Sequence, residues 1–233
     1  MRSGGAAASL AAPLCPRALL HRQQRQLPGP RRAARVGSCT IMNRIEPLSQ
    51  LREWIEEARR EEVPHPASVA FVTVGADGHP SARTVTLKRI EDDALVFTTA
   101  LWTRKAREIE ANPHVSLLFH WPALGRQAHV TGEASLAERA LAEELFAERD
   151  LLHQLQTVVS RQGEPIEDLE PLRARLAHLA EVQEAAPACP EDWGALRVRP
   201  DTIELWSEAA DRLHERRLFR RDGNSWNVSL LSP

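Results

Sequence analysis

Residues 67–90 read Ala-Ser-Val-Ala-Phe-Val-Thr-Val-Gly-Ala-Asp-Gly-His-Pro-Ser-Ala-Arg-Thr-Val-Thr-Leu-Lys-Arg-Ile. From Ala67 the side chains run with a period of two: Val69, Phe71 and Thr73 fall on one face, Ala70, Val72 and Val74 on the other. Both sets are mostly apolar, the pattern of a buried strand. Ala76-Asp-Gly-His79 is turn chemistry, and residues 81–90 are then the returning strand of a hairpin. Upstream, residues 46–61 read as a helix, because Pro47 suits a first turn and Leu48, Leu51, Ile55 and Ala58 share one face. Downstream, residues 94–99 form a third strand. Residues 103–111 form a short helix capped by Thr103 and ended before Pro113. Two strands, 114–121 and 126–134, flank a Pro-Ala-Leu-Gly turn. Residues 136–182 are largely helical with a break near Gln162-Gly-Glu-Pro165, and 184–192 is a linker rich in Pro and Ala. Strands return at 195–199, 202–206, 214–220 and 226–230. The class is α+β, and many short strands with few helices favour a barrel over a parallel βαβ sheet.

The chain has 233 residues and a formal net charge of −2, with 27% charged and 42% hydrophobic residues. These are values of a soluble globular protein. No apolar run approaches the ~20 residues that span a bilayer, so no membrane partner is expected. Cys15, Cys39 and Cys189 are too scattered for a disulfide framework or a zinc motif, and a cytoplasmic setting is the default. Near-neutral charge argues against bulk nucleic-acid binding. Residues 1–41 hold seven arginines and no acid, a charge of +7 that leaves −9 for the remainder. This stretch reads as a disordered basic segment ahead of one domain, 42–233. A transit peptide, or translated sequence upstream of a start at Met42, would look the same.

Of the 30 basic residues, 28 are arginine; Lys88 and Lys105 are the only lysines, and there is no tyrosine. Lysine is a compact point charge and arginine a planar fork, so a site can require one and not the other. Three clusters carry candidate chemistry. With Thr103 as N-cap, Arg104 and Lys105 lie in the first turn of a helix, where the dipole disfavours cations unless an anion such as phosphate sits there; otherwise they extend into solvent. If residues 212–216 are a strand, Arg212, His214 and Arg216 share one face, and three potential cations there call for an anionic or electron-rich neighbour. The alternative is an exposed basic face neutralised by Glu208, Asp211 and Glu215. In Arg83-Thr-Val-Thr-Leu-Lys88, strict alternation puts the two cations on opposite faces, so only a bulge or a ligand wrapped around the strand end would join them. No phosphate-binding glycine loop, nucleophile elbow or metal-ligand spacing is present.

Ile203-Glu-Leu-Trp206 followed by Arg212-Leu-His-Glu-Arg216 resembles the C-terminal signature of the pyridoxine/pyridoxamine 5′-phosphate oxidase family. Arg83 to Lys88 resembles its first flavin strand, and Phe97-Thr-Thr-Ala-Leu-Trp-Thr-Arg-Lys105 its phosphate-binding turn. Asn112-Pro-His-Val-Ser-Leu-Leu-Phe119, Arg126-Gln127 and Val159-Ser-Arg-Gln162 continue the likeness in order. The resemblance runs from about residue 46 to 233. It implies an FMN-binding split β-barrel that works as a homodimer, with two FMN at the subunit interface. Position by position, the implied FMN contacts are Arg83, Thr84, Val85, Thr86, Leu87, Lys88, Thr98, Thr99, Arg104, Lys105, Gln127, Gln162, Gly163, Trp206 and Arg216. The implied substrate contacts are Lys88, Arg149, Arg212 and His214, with Arg212 and His214 beside the chemistry. The implied reaction is hydride transfer from a vitamin B6 phosphate ester to the flavin, with O2 as final acceptor and peroxide as product.

Some positions depart from the family pattern. Leu145 stands where a tyrosine usually helps hold the substrate phosphate, and His153 where a serine does; His153 is expected to replace part of the missing donor. Thr98 stands where tyrosine is common, and residues 1–45 lack the family's Arg-Arg-Glu-Tyr segment. Ala58-Arg-Arg60, Val159-Ser-Arg-Gln162 and Leu179-Ala-Glu-Val-Gln183 are similar to a branch that oxidises dihydrophenazine acids, which keeps that substrate class as an alternative. A flavin- or haem-binding barrel without turnover is a third reading, and the substrate-side cations Arg212 and His214 speak against it.

Overall fold

A computed structural model describes residues 46–183 and 185–233. The expectation for residues 1–41, like Cys15 and Cys39, lies outside them. The chain opens with α1 (Pro47–Arg60), whose first turn carries Pro47 and whose buried stripe is Leu48, Leu51, Trp54, Ile55 and Ala58. The i, i+3, i+4 spacing of that stripe is what makes the helix amphipathic. The quoted stretch becomes β1 (Ser68–Val74) and β2 (Pro80–Thr86), paired antiparallel with Phe71 opposite Arg83. Only one face of β1 is fully buried; Ala70, Val72 and Val74 are half-buried.

The returning strand does not continue to residue 90. It stops at Thr86 and resumes as the two-residue β3 (Arg89–Ile90), which pairs instead with β4 (Leu95–Ala100). The cause is a change of partner at a corner. The Leu87 N–H donates to Ala67 O at 2.9 Å, and the next N–H, that of Lys88, donates to Val96 O at 2.8 Å. Leu87 is buried in the core at that corner. The alternation argument that set Arg83 and Lys88 on opposite faces therefore ends at Thr86.

After α2 (Arg104–Ala111), β5 (His114–Trp121) and β6 (Arg126–Leu136) form a hairpin closed by a 3-10 turn, with Gly125 in the left-handed region at φ 58°. Three helices follow: α3 (Arg139–Ala147), α4 (Leu151–Val159) and α5 (Glu170–Val182). Besides the expected break near residues 162–165 there is another between α3 and α4, where the Asp150 carboxylate caps α4 by accepting from the His153 N–H.

The two strands expected at 195–199 and 202–206 are one, β7 (Trp193–Ser207). Pro200 does not break it, because it sits where no ladder bond is required. On one edge β7 pairs with β4 through residues 193–198 and with β8 (Glu215–Asp222) through residues 202–207, so residues 199–201 lie in the gap. On the other edge β6 runs the full length, with a register shift at Thr131/Gly132 that faces Pro200. A Cβ on Gly132 would come within 2.1 Å of the Arg199 carbonyl oxygen, so only glycine lets the strands close over this bulge. β9 (Ser225–Leu230) pairs with β8.

The resulting order is β2-β1-β5-β6-β7-β4-β3, with β8 and β9 branching from β7. It is a curled antiparallel half-barrel with five α-helices among the described residues. α1 and the inner strand faces close the core. Phe71 meets Phe97 edge-on at 5.1 Å, and Phe119 stacks on Trp121 at 5.7 Å. Each such pair contributes about 0.5–1.5 kcal/mol beyond area burial. No described helix is long and apolar enough to cross a membrane.

Candidate active site

The first turn of α2 is the focus of the site. Thr103 occupies the N-cap position with extended backbone, but its hydroxyl does not cap the helix: it donates to Ala100 O at 2.8 Å. The expected side-chain cap is thus absent. Thr99, beside it, is buried with its hydroxyl 3.1 Å from that of Thr103. Lys105 is only 7% exposed, and its ammonium donates to Thr103 Oγ1 at 3.3 Å. No carboxylate pairs with it among the described residues. Burial, and then the charge of Arg83, lower its pKa to about 8. A buried ammonium is stable only with compensation, so this side chain fits a place where an anion completes the pairing.

Lys105 lines two clefts. The first, of about 270 Å³, is walled by Thr84, Val85, Thr86 and Lys88 from the β2–β3 corner, Thr98 and Ala100 from β4, and Arg149, Gln156, Thr157 and Ser160 from α4 and the loop before it; Trp102, Gln162 and Trp193 complete it. Among the described residues its wall holds three cations, Lys88, Lys105 and Arg149, and no carboxylate. The Lys88 pKa is lowered by burial and then by the charge of Arg149, so the two cations lie close enough to repel. Arg149 is lowered mainly by burial, donates to Thr157 Oγ1 at 2.6 Å, and lies 4.7 Å over the Trp193 ring. The second cleft, of about 380 Å³, is lined by Arg83, Arg104, Lys105, Arg107, Gln162, Gly163 and Glu164 with Trp102 and Thr103.

The expected site residues divide accordingly. Thr84, Val85, Thr86, Lys88, Thr98, Lys105, Arg149 and Gln162 meet at the first cleft; Arg83, Arg104, Lys105, Gln162 and Gly163 meet at the second. Leu87 and Thr99 have buried side chains that line neither. Gln127, Trp206, Arg212, His214 and Arg216 line neither as well. Ladder pairing joins Gln127 to Trp206 and Trp206 to Arg216 on β6, β7 and β8.

Two expectations at this far end need correction. Arg212 and His214 precede β8, and Arg212 has φ 67° in a turn, so the shared-face argument for Arg212, His214 and Arg216 does not hold. Arg216 is already neutralised, and by Glu204 (Nε to Oε1, 2.7 Å) rather than by the acids near it in sequence. His214 packs 4.9 Å from Trp206, and its Nδ1 accepts from the Ala209 N–H at 3.1 Å. Near the first cleft, Leu145 is fully buried against Val96, Leu141 and Ala195. His153 does not reach the cleft either; its ring is exposed and turned to Asp150 at 2.8 Å.

Sequence reasoning missed Trp102, Gln156, Thr157, Ser160 and Trp193. Trp102 stood inside a quoted motif, so a signal existed. Thr157 and Trp193 reach the site only through the turn between α3 and α4 and the start of β7, for which spacing carries no cue.

A family model described as "Pyridoxamine 5'-phosphate oxidase" matches residues 55–206. The chain belongs to this family. A second model, "Pyridoxine 5'-phosphate oxidase C-terminal dimerisation region", matches residues 193–233. The chain is 42% identical over 212 residues to a pyridoxine/pyridoxamine 5′-phosphate oxidase of Rubrobacter xylanophilus, covering 90% of this chain and 98% of that one. It is 37% identical over 191 residues to one of Gluconobacter oxydans, covering 82% and 96%. Among solved structures it is similar to PhzG from Burkholderia lata 383 in complex with tetrahydrophenazine-1-carboxylic acid: 31% identity, TM-score 0.76, covering 81% of this chain and 93% of that one. An FMN-binding, pyridoxamine 5′-phosphate oxidase-related protein from Nostoc punctiforme shares the fold at 16% identity and TM-score 0.67. In this pyridoxamine 5′-phosphate oxidase family member, Trp206, Arg212, His214 and Arg216 all fall inside the dimerisation match, apart from the clefts around Lys105.

Proposed function

We propose that the chain is an FMN-dependent oxidase that converts pyridoxine or pyridoxamine 5′-phosphate to pyridoxal 5′-phosphate, with O2 reduced to peroxide, and that it works as a homodimer. The observation that carries this reading is the first cleft, whose wall, among the described residues, holds Lys88, Lys105 and Arg149 and no acid. The donor set fits a flavin bearing a phosphate: a buried lysine without a carboxylate partner, at a helix start whose N–H groups have no side-chain cap, is chemistry that accepts a phosphate. FMN, when bound, supplies the two-electron acceptor for a hydride and passes the electrons on to O2. Lys105 and Arg104 would hold its phosphate, with residues of the corner 83–88 supplying further contacts. Lys88 and Arg149 hold the acid group of the substrate, and Thr157 and the Trp193 ring fix Arg149 in place. Arg212 and His214 orient the substrate ring from the partner subunit, since within one chain they line neither cleft around Lys105.

A second substrate class is favoured by one observation. Leu145 is buried and apolar and His153 is turned to Asp150, so the substrate's acid group meets two cations and no hydroxyl from these positions. Two cations suit a carboxylate as well as a phosphate, and a dihydrophenazine acid, of the kind bound in the PhzG complex, carries one. The test is anaerobic mixing of the flavin-loaded protein with pyridoxamine phosphate, pyridoxine phosphate or a dihydrophenazine acid while following flavin bleaching. Bleaching by a B6 phosphate supports the first reading. Bleaching only by the tricyclic acid selects the second, and no bleaching by either removes both.

A further inference from the structure

Beside the Lys105 clefts lies a carboxylate that the reading above does not use. Glu108, one turn after Arg104 on α2, is buried, and both of its oxygens are engaged. Oε1 accepts from Arg104 Nε at 2.6 Å. Oε2 accepts from the hydroxyls of Thr73 and Ser81, the latter at 2.6 Å, and lies 3.3 Å from Arg83 Nη2. The same two hydroxyls accept from Arg83: Nη1 to Thr73 Oγ1 and Nη2 to Ser81 Oγ, each at 2.6 Å. Arg83 Nη1 also donates to Phe71 O at 3.1 Å. Each hydroxyl thus accepts a hydrogen bond from the guanidinium and donates one to the carboxylate.

We propose that Glu108 is a positioning residue for phosphate binding: it holds Arg83 both directly and through the Thr73 and Ser81 hydroxyls, and Arg104 directly, so that both guanidiniums stand ready at the second cleft. The inference rests on FMN being the ligand. Without Glu108, Arg104, which is 60% exposed, would be free to spread through solvent, and Arg83 would keep only its backbone and hydroxyl contacts. Buried charge networks of this kind lose much of their value when one member is removed, because the partners are left uncompensated. The carboxylate itself stays ionised. Burial works against its charge, but the hydrogen bonds from Ser81, Thr73 and Arg104 overcome that and hold its pKa at about 2. It therefore also subtracts one charge from the three cations Arg83, Arg104 and Lys105, leaving a cradle of +2 that matches a phosphate monoester dianion.

Positioning and simple charge subtraction predict opposite results. If Glu108 only subtracts charge, its removal tightens FMN binding. If it positions, removal weakens FMN binding and leaves riboflavin, which has no phosphate, unchanged. The experiment is flavin titration by fluorescence quenching with wild-type protein and the variants Glu108→Gln, Glu108→Ala and Thr73→Val. In Glu108→Gln the amide oxygen still accepts from Thr73, Ser81 and Arg83 while the amide N–H₂ faces Arg104, so the Arg104 tie is lost and the Arg83 contact loses its ionic part; a several-fold weaker FMN affinity is expected. Glu108→Ala frees both arginines and should weaken FMN at least tenfold. Thr73→Val keeps every charge and the side-chain shape but removes one relay to Arg83, and should weaken FMN several-fold. Riboflavin affinity is the readout that a merely structural role would not spare: a loosened fold lowers both flavins together. Equal losses for FMN and riboflavin, or FMN binding as tight as or tighter than wild type in Glu108→Ala, overturns the proposal. Failure of the wild-type protein to bind FMN at all would instead overturn the functional reading beneath it.

Discussion

The α2 end of the site and the β6–β8 end are built differently. Around α2, cations and their supports come from β1, β2, α2, α4 and the start of β7 in a single chain, and the side chains are held: Lys105 by Thr103, Arg149 by Thr157 and Trp193, Arg83 by Thr73, Ser81 and Glu108. At the other end, Arg212 sits in an exposed left-handed turn, and neither it nor His214 has a carboxylate partner among the described residues. Arg216 there is already paired with Glu204. A pre-formed half and an unfinished half fit the proposal of a site shared between two copies, and Trp206, Arg212, His214 and Arg216 of the second half fall within the match to a dimerisation region. The two halves should therefore fail in different ways.

The largest effect is expected in the pre-formed half. Arg104→Ala combined with Lys105→Ala removes two charge-assisted donors, each contributing on the order of 1.5–3 kcal/mol. FMN affinity should fall by a few orders of magnitude, with Lys105 carrying most of the loss because Arg104 is exposed and tied to Glu108. Riboflavin binding should be little affected, and far-UV circular dichroism should be unchanged. Equal losses for the two flavins would move the phosphate elsewhere.

In the unfinished half, Arg212→Ala should leave FMN bound and the dimer intact by sedimentation, while flavin reduction under anaerobic mixing slows roughly ten- to a hundredfold, the value of one charge-assisted contact of ~1.5–3 kcal/mol. Reduction as fast as wild type would remove Arg212 from the substrate side. Loss of FMN along with rate would mean that the two halves are not separable.

The contrast also explains which parts were legible in sequence. The α2 end could be read because its motifs are short in sequence: the helix start at Thr103, the stretch from Phe97 to Lys105 and the run Arg83–Lys88 resemble the family as local segments. Alternation failed at Leu87 because a change of hydrogen-bond partner between β1 and β4 is a tertiary event with no periodic signature. The same holds for β7, expected as two strands at 195–199 and 202–206, where Pro200 is seated between the β4 and β8 pairings, opposite Gly132. At the β8 end a period of two was assumed across Arg212, but the backbone there is a turn. The Glu204–Arg216 pair, twelve residues apart, needed the ladder between β7 and β8 to be seen.

A smaller effect, in pH, again separates the halves. The Lys105 pKa, about 8 against the ordinary 10.5, is lowered by burial and then by Arg83. A bound phosphate favours the charged form, so above pH 8 FMN binding must take up a proton. FMN affinity should then fall as pH rises from 7 through 8 to 9.5, by at most about tenfold per pH unit. Riboflavin affinity should stay flat over the same range. For the flavin-free protein the sign reverses: between about 8 and 10.5 the unfolded lysine binds more protons than the folded one, so this group makes stability rise with pH in that window. A flat FMN profile from pH 7 to 9.5 would show that Lys105 does not face the phosphate.

The smallest expected effect is none. Removing residues 1–41 takes away seven arginines and no acid, from a stretch with no sustained hydrophobic period. Such a composition does not bury enough apolar surface to join a core. Among the described residues, the side chains that line the two clefts and those named at the β6–β8 end belong to residues 83–216. With the unfinished half completed by a second copy, as proposed, no part of the site is assigned to the N-terminal stretch. A protein beginning at Met42 should bind FMN with unchanged stoichiometry and affinity, keep the same sedimentation behaviour, and reduce its flavin at the wild-type rate. The rate is the sharpest of these readouts, because a segment that closes over the substrate would leave flavin binding untouched and still speed its reduction. A truncated protein that is fully yellow yet slow to bleach would therefore assign the missing part of the unfinished half to residues 1–41 instead of to the partner.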